Sequence, residues 1–288
     1  MLVAAAVCPC PPLLVPEVAA GAAPELAPLR DACSDAVSVL AAARSDRLIV
    51  LGPAAPTTDG PYAHDAVGSF RGYGVDVTVR LDGHRAADDT TGPAAGGVGA
   101  VTARAAEPTE EHGTRGAAPR TDLDPVEAAP GPERGAGPVT ERALPLSLTV
   151  AGWLLERARW SAAPVEGFGL AESLAADRCT ALGRELAGSA DRVAFLICGD
   201  GSARRTLKAP GYLDERAAAW DAEVSRALGA ADTGALSALD PHLAQELLAA
   251  GRAPWQVLAG AGDGAGLRGE TLYDEAPYGV GYFVTTWS

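Results

Sequence analysis

The chain predicts an α/β fold: a mostly parallel central sheet with helices on both faces, in a single domain. Three observations predict it. Short continuous apolar runs alternate with amphipathic stretches of helical length. Three of those runs stop at a turn rich in Gly, Pro or small residues. Hydrophobic residues make up 48% of the 288 positions, enough to bury one large core.

The elements follow in order along the chain. "MLVAAAVC" (1–8) reads as a buried strand with a proline stop. Residues 24–43 place Leu26, Leu29, Ala32, Ala36, Val37 and Leu40 at helical spacing. "RLIVLGPA" (47–54) is a second strand, and "GVDVTVRL" (74–81) alternates with period two, as a strand nearer a sheet edge does. A helix is predicted over 147–160 with Ser147 as its N-cap. "PVEGFGL" is a short strand, 172–188 an amphipathic helix, and "RVAFLICGDGS" (192–202) the clearest core strand. Helices follow over 214–228 and across 235–261, and the strands "GETLYDEA" and "VGYFVTTW" finish the chain.

Between His84 and about Thr140 the composition turns to Gly, Pro, Ala and Glu with no Phe, Trp or Tyr. Such a segment cannot bury enough apolar surface to offset its ordering entropy. It is expected to be a disordered surface insertion (84–140) within the domain, with His112 solvated inside it.

The net charge of −14 argues against a nucleic-acid partner, which needs a basic face, and no polybasic cluster suits an anionic membrane. "MLVAAAVC" lacks the charged n-region of a signal peptide, and no stretch approaches the ~20 apolar residues of a membrane span. A cytoplasmic protein is expected, with Cys8, Cys10, Cys33, Cys179 and Cys198 as free thiols.

If the three glycine- or proline-terminated strands are parallel, their turns share one carboxyl edge, where α/β sheets bind ligands. That edge would gather Cys10, Ala54 and Ala55, Asp200 and Ser202. A Cys zinc site wants C-x₂₋₄-C pairs, whereas Cys8 and Cys10 are two apart and no second pair exists. A redox dithiol wants C-x-x-C opening a helix, but Pro9, Pro11 and Pro12 hold this stretch extended. A Cys10 nucleophile would need a base, and His64, on the loop after the second strand, is the candidate, with Asp65 or Asp200 to orient it. The favoured reading of His64 is a loop residue that makes a local hydrogen bond. Ser202 lacks the G-x-S-x-G elbow of a hydrolase. Arg204, Arg205 and Lys208, the chain's only lysine, form a small positive patch that either anchors an anionic ligand or is solvated.

Four stretches together resemble the B-type family of class III extradiol ring-cleavage dioxygenases, which includes the Memo-like proteins. More closely, they resemble small bacterial proteins with a domain like that of these class III extradiol dioxygenases. The stretches are "CPCPPLLVPEV", "VLGPA", "CGDGSARRTLKAPGYLDERAAAWDAEV" and "GRAPWQVLAGA" with "APYGVGYFVTTW". The resemblance implies ferrous iron on two histidines and a carboxylate, with a further histidine as acid/base, for opening a catechol-type ring with dioxygen. At the matching positions stand Cys10, Ala54 and Ala55, Ala203, and Gly251 or Arg252. Glu246 is a distant substitute for the carboxylate, and His64 for one histidine. No cofactor is therefore expected, with ferrous iron implied only if the family chemistry is retained.

The expected function is a divergent member of that family without its iron site, binding an unidentified small molecule or a partner. Two alternatives stand beside it: a ring-cleavage dioxygenase with altered ligands such as Cys10 and His64, or an enzyme using Cys10 as nucleophile. A homo-oligomer is implied by analogy with the oligomers that such oxygenases form.

Overall fold

The computed structural model describes residues 1–83 and 142–288. The predicted insertion over 84–140, with His84 and His112, lies outside them. The strands are β1 (Leu2–Cys8), β2 (Arg47–Ala54), β3 (Gly60–Tyr62), β4 (Val67–Ser69), β5 (Thr78–Arg80), β6 (Val165–Ala171), β7 (Val193–Cys198), β8 (Gly269–Glu275) and β9 (Tyr282–Trp287). The helices are α1 (Pro16–Ala19), α2 (Ala27–Ala42), α3 (Leu146–Arg157), α4 (Ala176–Ala187), α5 (Ala217–Gly229), α6 (Thr233–Ser237), α7 (Pro241–Glu246) and α8 (Arg252–Gly262).

Seven strands form one mixed sheet in the order β3-β6-β2-β7-β1-β9-β8. Its centre, β6-β2-β7-β1, is parallel, and β3, β9 and β8 join antiparallel at the two sides. Strand alternation divides the core in two. Ala4, Ala6 and Cys8 of β1 pack with Leu196 and Cys198 of β7 against α2 and α3. Ala5 and Val7 pack with Phe195 and Ile197 against α4, α5 and α8. Both faces of the central strands are therefore apolar, which is why they read as unbroken hydrophobic runs. Each fully buried Leu, Ile or Val in these layers contributes roughly 1.5–3 kcal/mol. All five cysteines are buried and free; Cys8 is packing between β1 and α2, beside Cys33.

Two local expectations are corrected. The stretch 74–81 forms strand only over Thr78–Arg80, and β5 pairs with β4 in a separate two-stranded sheet. Gly74 takes a left-handed φ of 83° and ends a 3₁₀ turn, so the backbone before β5 is not extended. The N-cap of α3 is Pro145, not Ser147. Helix geometry begins directly after the proline, which leaves Ser147 inside the first turn, and its hydroxyl donates to the Pro53 carbonyl at 2.7 Å. The start of α3 is thereby tied to the end of β2. Gly52 permits that contact, since a Cβ there would lie 2.6 Å from Ser147 Cβ. Among the described residues no helix is long and apolar enough to cross a membrane.

Candidate functional site

Because β1, β2 and β7 run parallel as neighbours, their three turns emerge side by side at the carboxyl edge. The turn after β7 is held from every direction. Gly199 N–H donates to the Cys8 carbonyl, Gly201 N–H to the Gly281 carbonyl, and Gly281 N–H to the Ser202 carbonyl. From the helical side, Gly251 N–H donates to the Asp200 carbonyl at 2.9 Å. Gly199 and Gly251 meet so closely that a Cβ on Gly199 would stand 2.5 Å from Gly251 Cα. That is why the stretch reads Gly-Asp-Gly and α8 begins after glycine.

This clamp aims the Asp200 side chain at the strand ends. Its Oδ1 accepts the Cys10 backbone N–H at 2.8 Å, joining the turns after β1 and β7. Burial pushes the carboxyl up to about 6, partly offset by that hydrogen bond, and no cation contributes. Above these groups opens a cavity of about 1240 Å³. It is roofed by the α7–α8 region and the segments following β2 and β6, and most of its wall is proline, alanine and leucine. Polar side chains facing it include Cys10, Glu172, Asp200, His242 and Tyr282.

The predicted site residues separate into two groups. Cys10, Ala54, Ala55, Asp200 and Ala203 all line the cavity, brought there from three different strand ends. Ser202, His64, Arg204, Arg205 and Lys208 do not. Ser202 is fully buried; its hydroxyl donates to the Leu247 carbonyl at 3.0 Å and accepts Arg204 N–H. His64 is exposed on the loop before β4, and its carbonyl accepts Asp82 N–H. Arg205 pairs with Asp221 at 2.8 Å, and Asp221 also accepts Ser202 N–H. Asp221 is itself raised by burial, offset by those two donors. Lys208 is exposed to solvent.

The Cys10 thiol is 5% exposed and raised well above its ordinary value, first by desolvation and then by the Asp200 charge. No cation or helix N-terminus lowers it, so it is a neutral thiol rather than a thiolate. Tyr282 is 3% exposed; burial and the Asp200 charge raise its phenol, so its hydroxyl keeps its proton. The sequence pattern placed Tyr282 only in a terminal strand. Its signal was the adjacent Gly281, whose missing side chain lets the strand start against Asp221. Arg252 also borders the cavity but is 3% exposed and held by hydrogen bonds from both of its terminal nitrogens. Its guanidinium donates to the Leu174 carbonyl at 2.6 Å, to Gln256 Oε1 at 2.9 Å and to the Glu172 carbonyl.

The iron that the resemblance implies does not fit these residues. Ala54, Ala55 and Ala203 offer no donor atoms, Gly251 has no side chain, and Arg252 is a cation. Glu246 is exposed and paired with Arg216 at 2.7 Å. Cys10 keeps its proton, and Asp200, Glu172 and His242, which also line the cavity, are not gathered with it into a ligand set for labile ferrous iron. Among the described residues no group of three or more His, Cys, Asp or Glu is placed to hold a metal ion. No protein-family profile matches the chain, and no curated protein matches its sequence at a significant level.

Proposed function

We propose that this protein binds a small, largely apolar molecule in the carboxyl-edge cavity and does not carry out iron-dependent ring cleavage. The observation that carries this reading is the cavity itself. About 1240 Å³ of space with apolar walls and a few convergent polar groups is the composition of a ligand site. Two of its polar groups, Cys10 and Asp200, stand where β1 and β7 end, at the position α/β sheets reserve for ligands. The donor chemistry at those strand ends argues against iron. The protonated state of Cys10 argues equally against a nucleophile at that position.

Two measurements test the proposal. Metal analysis of the purified protein, followed by oxygen uptake with catechols in the presence of added ferrous iron, is expected to show neither stoichiometric iron nor turnover. Iron at one equivalent with ring-cleavage activity would overturn the reading. Binding of a neutral solvatochromic dye such as Nile red is expected to saturate at one site, and Ala203→Trp, which puts a bulky ring into the cavity lining, is expected to weaken it at least tenfold.

A further inference from the structure

The electrostatics of the cavity narrow its ligand class, on the premise that the cavity is a binding site. Asp200 Oδ1 is engaged by Cys10 N–H, whereas Oδ2 has no partner among the described residues. The Tyr282 hydroxyl, in a 3% exposed side chain, also has none among them. Both belong to residues lining the cavity. Both atoms open into the cavity, so a ligand that displaces its water must supply hydrogen-bond partners for them or leave them unsatisfied.

The charged and titratable groups facing Asp200 from each packed element show what could complete them. After β1 stands Cys10 and at the end of β7 Cys198, both neutral thiols. From β9 comes the Tyr282 phenol, neutral as well. After β6 stands Glu172, a second carboxylate whose charge reaches Cys10. α7 contributes His242 at the exposed rim. α8 contributes Arg252, whose terminal nitrogens donate to the Leu174 and Glu172 carbonyls, Gln256 Oε1 and Cys179 Sγ and whose charge does not offset Asp200. The cavity thus contains a carboxylate without a counter-ion, in a chain of net charge −14. An anionic ligand would be repelled, and a neutral one would leave the charge uncompensated.

We propose that the cavity selects organic monocations: a protonated amine that donates to Asp200 Oδ2 beside the Tyr282 hydroxyl, joined to an apolar body held by the proline and alanine walls. Other attractive forces add to this, since an ammonium near the Tyr282 ring also gains cation–π attraction.

The test uses the full-length protein and isosteric triples of amine, alcohol and carboxylate on phenylethyl, naphthylmethyl and decyl bodies. Affinities are measured at pH 7.5 by calorimetry or Nile red displacement, for the wild type and for Asp200→Asn. Asn keeps the acceptor for Cys10 N–H and removes only the charge. The amine is expected to bind at least tenfold tighter than its alcohol and the carboxylate weakest, with Asp200→Asn erasing the amine's advantage while alcohol binding persists. Alcohols binding as tightly as amines, or an amine preference that survives in Asp200→Asn, would overturn the cation assignment and leave the binding site intact. If no member of any triple binds and Nile red does not either, the site itself is refuted.

Discussion

Asp200→Asn is predicted to stabilise the protein at neutral pH, against the usual direction of substitution. The side-chain carboxyl has an ordinary value of 3.8 and is held at about 6 in the folded state. A group raised by folding contributes most favourably below its unfolded value, and that contribution is lost as pH rises from 3.8 through about 6. The full difference corresponds to roughly 3 kcal/mol. Water in the cavity still reaches Oδ2, so the expected gain is smaller, about 1–2 kcal/mol, or very roughly 2–8 °C in Tm for a chain of this size. Asn retains an oxygen for the Cys10 N–H, so the link between the turns after β1 and β7 survives. The assay is urea unfolding of both proteins at intervals from pH 4 to 8. The stability difference should be near zero at pH 4, grow up to about pH 6–7 and then stay level. Asp221 and the other carboxyls are common to both proteins and cancel. A variant that is less stable at pH 8, or a difference independent of pH, would refute the argument that Asp200 is a desolvated, uncompensated charge.

Three further outcomes follow from the same geometry. Gly199→Ala should destabilise by about 2–4 kcal/mol in urea unfolding, because its Cβ would meet the backbone of Gly251 rather than a movable side chain. Arg252→Leu should cost about 2–4 kcal/mol by leaving the Glu172 carbonyl and Gln256 Oε1 without their donor and the Leu174 carbonyl with only the weak Cys179 thiol; a near-neutral result would show those contacts to be dispensable. Native Cys10 should react with iodoacetamide far more slowly at pH 8 than the unfolded chain does, read by mass spectrometry of the peptide containing it. Rapid labelling at pH 7 would contradict a buried, protonated thiol.

The agreement between sequence and structure has a physical limit that particular residues make clear. Cys8 and Cys198 ended apolar runs and fall opposite one another in the β1–β7 register, as strands buried on both faces require. Ser202 was expected to line the cavity because it follows Asp200 by two positions. The backbone instead turns at Gly201, which sits against Phe283 and Asp221, and directs the hydroxyl inward to the Leu247 carbonyl. His64 was a candidate because it follows β2 in sequence. The loop it occupies leads into the separate β4–β5 sheet and away from the cavity's lining. Arg204, Arg205 and Lys208 formed one patch in sequence but divide in space between a half-buried side chain, a partly buried ion pair and solvent.

Hydrophobic periodicity and glycine punctuation are local properties, and they were sufficient to establish the α/β class, the strand ends and the carboxyl edge where Cys10, Ala54, Ala55, Asp200 and Ala203 meet. The polarity of the cavity is not local. Tyr282 and Arg252 come from β9 and α8, and the lack of a compensating cation beside Asp200 is set by which donors the Leu174 and Glu172 carbonyls consume. Desolvation and charge compensation depend on every neighbour within several ångström, so only the packed tertiary structure decided that this edge presents an unpaired carboxylate in an apolar cavity.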